Sequence, residues 1–334
     1  MRTRTVPTRS AAALAVLAAC AAVLGGGGPS GAAPTAPAAP TALGDALHAA
    51  ARSAPQAVQQ AQDQSDTCDV YASVPPSSAD GPAVKAIKAK RSLVIGVDQN
   101  SYRWGARNPN TGQIEGFDID LARAIGTAIM GDPDKVVLKP VATADRVDAV
   151  KLGRVDLIVR TMTISCDRMK DVAFSKPYFS ITQRVVVPRT SPAKTLDEAV
   201  DHKNVCVAKG STAADVFDPA KEGAKKDAGA HLTVVENQLD CLVLMQLGKV
   251  DATMTDAGLA AGQAAQDQTV RIVDGDLKPE VIGVAMLKGS PDLTARVNQV
   301  LADYHTSGDW GRSYDRWLKP YMVNDAERFW PVQH

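Results

Sequence analysis

Aromatic side chains make up only 4% of this 334-residue chain, and the formal net charge is zero, 37 basic groups against 37 acidic ones. The first scarcity leaves little surface on which bases could stack. The second leaves no excess of positive charge for a phosphate backbone. Nucleic acid is therefore not an expected partner. Histidine is scarce as well: His48, His202, His231, His305 and His334 all lie outside the polar motifs described below. They form no Ser-His-Asp or Cys-His arrangement and no metal-ligand spacing, so no catalytic centre, metal or cofactor is expected. There is no Cys-x-x-Cys. No apolar run reaches the length of a mature membrane span.

What the chain does contain is one short pattern twice. Residues 150–161 read Val-Lys-Leu-Gly-Arg-Val-Asp-Leu-Ile-Val-Arg-Thr, and residues 245–256 read Met-Gln-Leu-Gly-Lys-Val-Asp-Ala-Thr-Met-Thr-Asp. Each copy follows an apolar helical stretch (147–152 and 239–247), turns at Gly153 or Gly248, and runs on as a short strand. Two helix–turn–strand units in one chain predict two similar α/β lobes with a cleft between them. The alignment sets Thr161 against Asp256. Both fall at the carboxyl end of a strand, where open α/β sheets carry their ligand groups.

The chain opens with Arg2, Arg4 and Arg9, followed by an apolar stretch over 11–24, the pattern of an export signal. Within it, Leu17-Ala18-Ala19-Cys20 resembles a lipobox, in which Cys20 is diacylated and becomes the new N-terminus. The other reading keeps Cys20 inside the apolar stretch, with cleavage near Ser30-Gly31-Ala32. Residues 25–67 are rich in Gly, Pro, Ala and Gln and cannot bury a core, which suits a tether. Removing Cys20 leaves four cysteines, and four in an exported protein favour two disulfides over a metal site. Cys206 precedes the second copy of the pattern and Cys241 lies in its helix, so these two are paired. Cys68 and Cys166 remain for the first lobe.

Strand, helix, strand, helix, strand alternate from 93 to 159 and again from 205 to 254. Extended runs at 183–188 and 281–286 read as the crossings between lobes, and helices at 293–304 and 310–318 as a return to the first lobe. Polar groups collect at the strand ends. Arg160, Thr161, Thr163 and Arg168 follow the first lobe's last strand. Gly210-Ser211-Thr212 lies between strand and helix in the second lobe, and Asp256 ends the equivalent strand there. Each has a plainer structural reading: a surface arginine for Arg168, helix N-caps for Ser211-Thr212 and Asp256. Together they form a carboxylate grip, from Arg168 and Thr212, and an ammonium grip, from Asp256. That combination describes an α-amino acid.

The runs Leu-Val-Ile-Gly-Val-Asp, Gly-Phe-Asp-Ile-Asp-Leu-Ala, Gly-Arg-Val-Asp-Leu-Ile, Thr-Met-Thr-Ile-x-x-x-Arg, Phe174-Ser175-x-Pro-Tyr178, Gly-Ser-Thr, and Gly308-Asp309-Trp310 with Tyr314 and Trp317 carry a resemblance. Over roughly residues 84–320 the chain resembles the polar-amino-acid class (family 3) of extracytoplasmic solute-binding proteins, above all the actinobacterial glutamate/glutamine-type binding lipoproteins. The resemblance implies a periplasmic-binding-protein-like α/β fold of type II, two lobes joined by a two-strand hinge. The expected divisions are a signal peptide at 1–24, a tether at 25–67, lobe one at 68–187, lobe two at 188–281, and a return to lobe one at 282–334. It implies that Arg168 holds the ligand α-carboxylate, helped by Thr163 and by Thr212 with its backbone, that Asp256 holds the α-ammonium, and that Thr161 and Ser211 also belong to the ligand-binding set. Tyr102 or Trp104 would supply an aromatic wall. Arg160 would pair with a side-chain carboxylate, favouring glutamate or aspartate over glutamine and asparagine, unless it is a solvent-facing arginine at the cleft rim. The implied protein is a monomer, lipid-anchored at the outer face of the membrane or secreted, that hands an amino acid to an ABC importer. A lipoprotein sensing amino acids for a membrane signalling partner is the alternative. A dehydratase of the same fold is a remote one, without an acid–base group among the motifs.

Overall fold

A computed structural model of the protein describes residues 68–221, 223–225, 228–273, 275, 277–322 and 329–331. The expected signal peptide, Cys20 and the tether lie outside the described residues.

Strand β1 (Leu93–Val97) is parallel to β5 (Val136–Pro140) on one side and β6 (Leu157–Ile158) on the other. Helix α2 (Phe117–Met130) connects β1 to β5; α1 (Pro82–Lys90) precedes β1, and β2 to β4 (Asn100–Ser101, Gly105–Arg107, Ile114–Glu115) form a small separate sheet. Helix α3 (Arg146–Lys151) connects β5 to β6. The second sheet repeats this plan. Strand β10 (Asn204–Ala208) is parallel to β11 (His231–Val235) and β12 (Ala252–Asp256), and α7 (Gln238–Gln246) connects β11 to β12. Both sheets are completed by antiparallel strands: β15 (Ala285–Leu287) and β7 (Val172–Phe174) in the first, β9 (Gln183–Pro188) and β13 (Val270–Ile272) in the second.

The repeated pattern has a structural cause. Gly153 and Gly248 take φ of 64° and 63°, a left-handed turn that glycine adopts without strain. The aspartates that follow clamp the neighbouring strand. Asp156 Oδ2 accepts from Val94 N at 2.9 Å while its own N–H bonds Val94 O. Asp251 does the same to Asn204, with Oδ2 to N at 2.8 Å. Each Val-Asp therefore fixes the register of a new strand against the first strand of its sheet.

The lobes are linked by a two-stranded antiparallel ribbon, β8 (Phe179–Ile181) with β14 (Glu280–Ile282). β8 runs on into β9 of the second sheet and β14 into β15 of the first. The run 183–188, expected as the crossing, thus belongs to the second sheet, and the crossing itself is β8. Helices α9 (Pro291–Thr306) and α10 (Asp309–Trp317) return to the first lobe, where Trp310, Tyr314 and Trp317 pack with Phe117 and Phe179. Trp310 Nε1 donates to Tyr178 O, and Trp317 Nε1 donates to Asp120, so these two indole donors are satisfied.

Both expected disulfides are present. Cys68–Cys166 ties the start of the described chain to α4 (Cys166–Asp171), and Cys206–Cys241 ties β10 to α7. Cys206 and Cys241 are fully buried, so this bridge both packs and restrains the second lobe. Replacing both by alanine is expected to cost about 2–4 kcal/mol, as closing a loop of this size does. Urea denaturation with and without reductant measures it; a stability unchanged by the double substitution would contradict the assignment.

Candidate ligand-binding site between the lobes

The carboxyl ends of β1, β6, β10 and β12 meet across the ribbon and line a cavity, open to solvent on one side, whose empty space including that solvent is about 420 Å³. Arg160, Thr161, Thr163 and Arg168 line it from the first lobe; Ser211, Thr212 and Asp256 line it from the second.

The loop after β6 is held rigidly. Thr161 has φ of 35°, unusual for a residue with a Cβ, and its N–H donates to buried Asp118 Oδ2 at 2.8 Å. Asp118 Oδ1 accepts from Tyr178 Oη at 2.9 Å. Burial raises the Asp118 pKa to about 7, against the pull of these two donors. Beyond Thr161 the backbone lies along the ribbon: Ile164 N donates to Val281 O and Gly283 N to Met162 O. Ser165 then caps α4, its Oγ accepting from Arg168 N at 3.4 Å. The Arg168 guanidinium turns back over the loop, donating to Thr163 O at 2.7 Å and, across the cleft, to Gly210 O at 3.0 Å.

In the second lobe the capping readings hold, and they do not exclude a site. Ser211 Oγ accepts from Ala214 N and donates to Ala208 O, which commits it to the turn. Asp256 Oδ1 caps α8 (Ala257–Gln266) by accepting from Leu259 N at 2.9 Å, while the residue also lines the cavity. Burial raises the Asp256 pKa to about 7; the N–H groups of Leu259 and Gly258 and the charge of Arg146 only partly offset it. The hydroxyls of Thr163 and Thr212 both donate to one acid, Glu280.

Arg160 lines the cavity but is not a free cation. Its guanidinium pairs with Asp98 Oδ2 at 3.1 Å and donates to Thr143 Oγ1 at 2.9 Å, and the residue is only 3% exposed. It is therefore not the solvent-facing rim arginine either. Neither Tyr102 nor Trp104 lines this cavity, which corrects the expected aromatic wall. Trp104 is buried against Phe117 and Phe179, and Tyr102 lies by Arg103 and Tyr321. Trp104 packs against first-lobe rings and α8 because an indole gains more from burial than from a polar cleft, and Tyr102 beside it is half-buried.

Sequence reasoning passed over Asp98, Thr143, Arg146 and Gln183, all on the cavity wall. Asp98 follows β1, so the same strand-end rule could have found it. Arg146 opens α3 and reads as a surface helix position, yet it is buried. Among the described residues it donates only to carbonyls: Thr143 O at 2.8 Å, Arg160 O at 3.4 Å and, across the cleft, Gly210 O at 3.1 Å. Burial and the nearby Arg168 and Arg160 push its pKa well below the usual arginine value.

Comparison with known proteins follows the same lines. The family model for bacterial extracellular solute-binding proteins, family 3, matches residues 93–320. The chain is 32% identical over 234 residues to the ABC transporter glutamine-binding protein GlnH of Bacillus subtilis, covering 70% of this chain and 84% of that one. It is 26% identical over 261 residues to the glutamate-binding protein GluB of Corynebacterium efficiens, covering 75% and 85%. Among solved structures, the L-cysteine solute receptor of Neisseria gonorrhoeae superposes with a TM-score of 0.69 at 27% identity, over 75% of this chain and 99% of that one.

If Asp118 supports the loop, Asp118→Ala strands two buried donors and should cost about 2–4 kcal/mol. Urea melts measure the loss; a change within a few tenths of a kcal/mol would refute the role.

Proposed function

From the premise that the chain belongs to the bacterial extracellular solute-binding proteins of family 3, we propose that it captures an amino acid in the cleft and delivers it to a membrane ABC importer. The relatives named above are binding proteins by name, and one is part of an ABC transporter. Residue roles follow from the cavity's charges. Arg168 from the first lobe takes the α-carboxylate and Asp256 from the second takes the α-ammonium, while the Thr163 and Thr212 hydroxyls, whose protons go to Glu280, offer the ligand acceptor oxygens.

The observation that carries the choice of ligand is the balance left on the wall. Three guanidinium groups face two carboxylates there, and Arg160 with Asp98 already forms a pair. Among the lining residues Arg168, Arg146 and Asp256 remain, two cations and one anion; the Glu280 carboxylate stands behind Thr163 and Thr212, on the ammonium side, where its charge helps to raise the Asp256 pKa. An amino acid with a second carboxylate complements that set, so glutamate or aspartate is the proposed ligand, with Arg146 and Thr143 reading the side chain. This keeps the acidic preference expected from the sequence but moves its reader from Arg160 to Arg146. Among the described residues no helix is long and apolar enough to cross a membrane. Attachment through a diacylated Cys20 remains our proposal for localisation.

A thermal-shift screen of the twenty amino acids tests the reading, since a ligand bound only by the native state raises its melting temperature. Glutamate and aspartate should give the largest shifts; no shift with any amino acid would overturn it. Arg168→Ala should lose about 2–5 kcal/mol of affinity by calorimetry. Arg146→Met should narrow the gap between glutamate and glutamine while leaving glutamine binding in place; an unchanged gap removes Arg146 as the reader.

Affinity should also depend on pH. Asp256 must be ionised to hold an ammonium, and the ammonium lowers its raised pKa. Below about pH 7 binding therefore releases a proton, and affinity falls as pH falls, by up to about tenfold per unit. In the absence of ligand the sign for stability is opposite: ionising buried Asp256 costs stability as pH rises from about 4 to about 7. Asp256→Asn should bind weakly and lose most of the pH dependence; a mutant that keeps the full slope would place the titrating group elsewhere.

A further inference from the structure

One acid stands beside the cavity wall and is claimed by no role so far. Glu280 opens β14 of the ribbon, and a single oxygen, Oε2, accepts from three groups. These are Thr163 Oγ1 at 2.8 Å, Thr212 Oγ1 at 3.0 Å and Gln183 Nε2 at 3.1 Å. Thr163 belongs to the first lobe's site loop, Thr212 follows the second lobe's β10, and Gln183 begins the strand that leaves the ribbon. We propose that Glu280 is a positioning residue that turns this wall into a set of acceptors for the ligand's ammonium group while tying the two lobes to the ribbon.

The argument is one of proton count. A threonine hydroxyl has one proton. With both protons given to Glu280, Thr163 and Thr212 present lone pairs to the cavity. Gln183 spends its two amide protons on Glu280 and on Thr212 Oγ1, the latter at 3.1 Å. Its orientation is thereby set, and the remaining group is the carbonyl oxygen. That Oε1 is buried and has no partner among the described residues, in a side chain only 2% exposed that lines the cavity. Gln183 also sits directly opposite Asp256 in the β9–β12 register, beside the proposed ammonium anchor. An unpaired buried acceptor is costly, and an N–H donor from a ligand relieves it. A neutral amide in place of Glu280 could donate as well as accept, so the direction of all three bonds would no longer be imposed.

The inference rests on the amino-acid reading for the identity of the ligand, not for the contacts. Its test compares wild type with Glu280→Gln, a near-isosteric change, by calorimetry with glutamate and with 2-hydroxyglutarate, which carries a hydroxyl where glutamate carries the ammonium. Wild type should prefer glutamate. In the variant, glutamate affinity should fall about tenfold while 2-hydroxyglutarate binding stays within about twofold. A general structural defect would weaken both alike, and that result, or no loss for either, overturns the proposal. Small-angle scattering of the amino-acid-free proteins supplies the second measurement. Replacing the charged shared acceptor by a neutral amide, which holds the three donors less tightly, should open the lobes and enlarge the variant's radius of gyration. If wild type binds no amino acid, the function proposed above fails. The Glu280 assignment is then decided by scattering alone: a larger radius in the variant supports the tie, and an unchanged radius removes it.

Discussion

Everything at this site depends on the four residues 161–164 being held between two fixed supports. On one side Asp118 captures the Thr161 N–H; on the other, Met162 and Ile164 bond to the ribbon through Gly283 and Val281. A backbone with φ of 35° at a threonine persists only where its surroundings over-determine it, and here they do. The consequence is mechanical. The loop that carries Thr163 and positions Arg168 is bonded to the very strands that connect the lobes. A change in the ribbon is therefore a change in the site, with no intermediate element needed to carry it.

The second constraint is charge in a confined space. Arg146, Arg160, Asp98, Asp118 and Asp256 are all buried or nearly so, and buried charges must be paired or hydrogen-bonded. Arg160 and Asp98 neutralise each other. Arg146 and Arg168 are satisfied across the cleft, both by the carbonyl of Gly210. That approach explains the glycine. Gly210 has φ of 70°, and a Cβ there would stand 3.0 Å from the Ala144 backbone of the opposite lobe. A side chain at 210 would hold the lobes apart and take the shared carbonyl away from both arginines.

How much of this was legible depended on whether a residue's role was local. The repeated Gly-x-Val-Asp announced two like lobes because its work, a left-handed turn and a clamp on the next strand, is done within each unit. Arg168, Thr163, Thr212 and Asp256 were legible because strand ends in such sheets converge, and the structure brings them to one cavity. The two cysteine pairs followed from lobe membership. Roles that depend on the partner lobe were hidden. Arg146 looks like any charged helix residue until Gly210 is placed above it. Arg160 looks like a free cation until Asp98, 62 positions earlier, is placed beside it. Trp104 invited a role in the cleft, but its indole is enclosed by first-lobe rings and by Gly258 of α8, where an added Cβ would come within 2.4 Å of it. Glu280 had no signal at all, since a lone acid in a strand says nothing of the three donors that converge on it.

Gly258 and Gly210 together show what the cleft asks of a ligand. One admits the Trp104 ring against α8 and the other admits two guanidinium groups to a carbonyl, so the lobes already meet at an apolar and a polar contact. Neither contact is strong where it counts. A guanidinium bonded to a neutral carbonyl has less than it gains from a carboxylate, because charge-assisted hydrogen bonds are roughly twice as strong. Among the described residues Asp256 accepts only from backbone N–H groups of its own helix, and these do not offset the burial that raises its pKa. A molecule carrying carboxylate and ammonium groups corrects both deficits at once, but only with the two lobes together, since the cations lie on one and the anion on the other. Its preference for that arrangement is the differential affinity on which any ligand-driven closure depends.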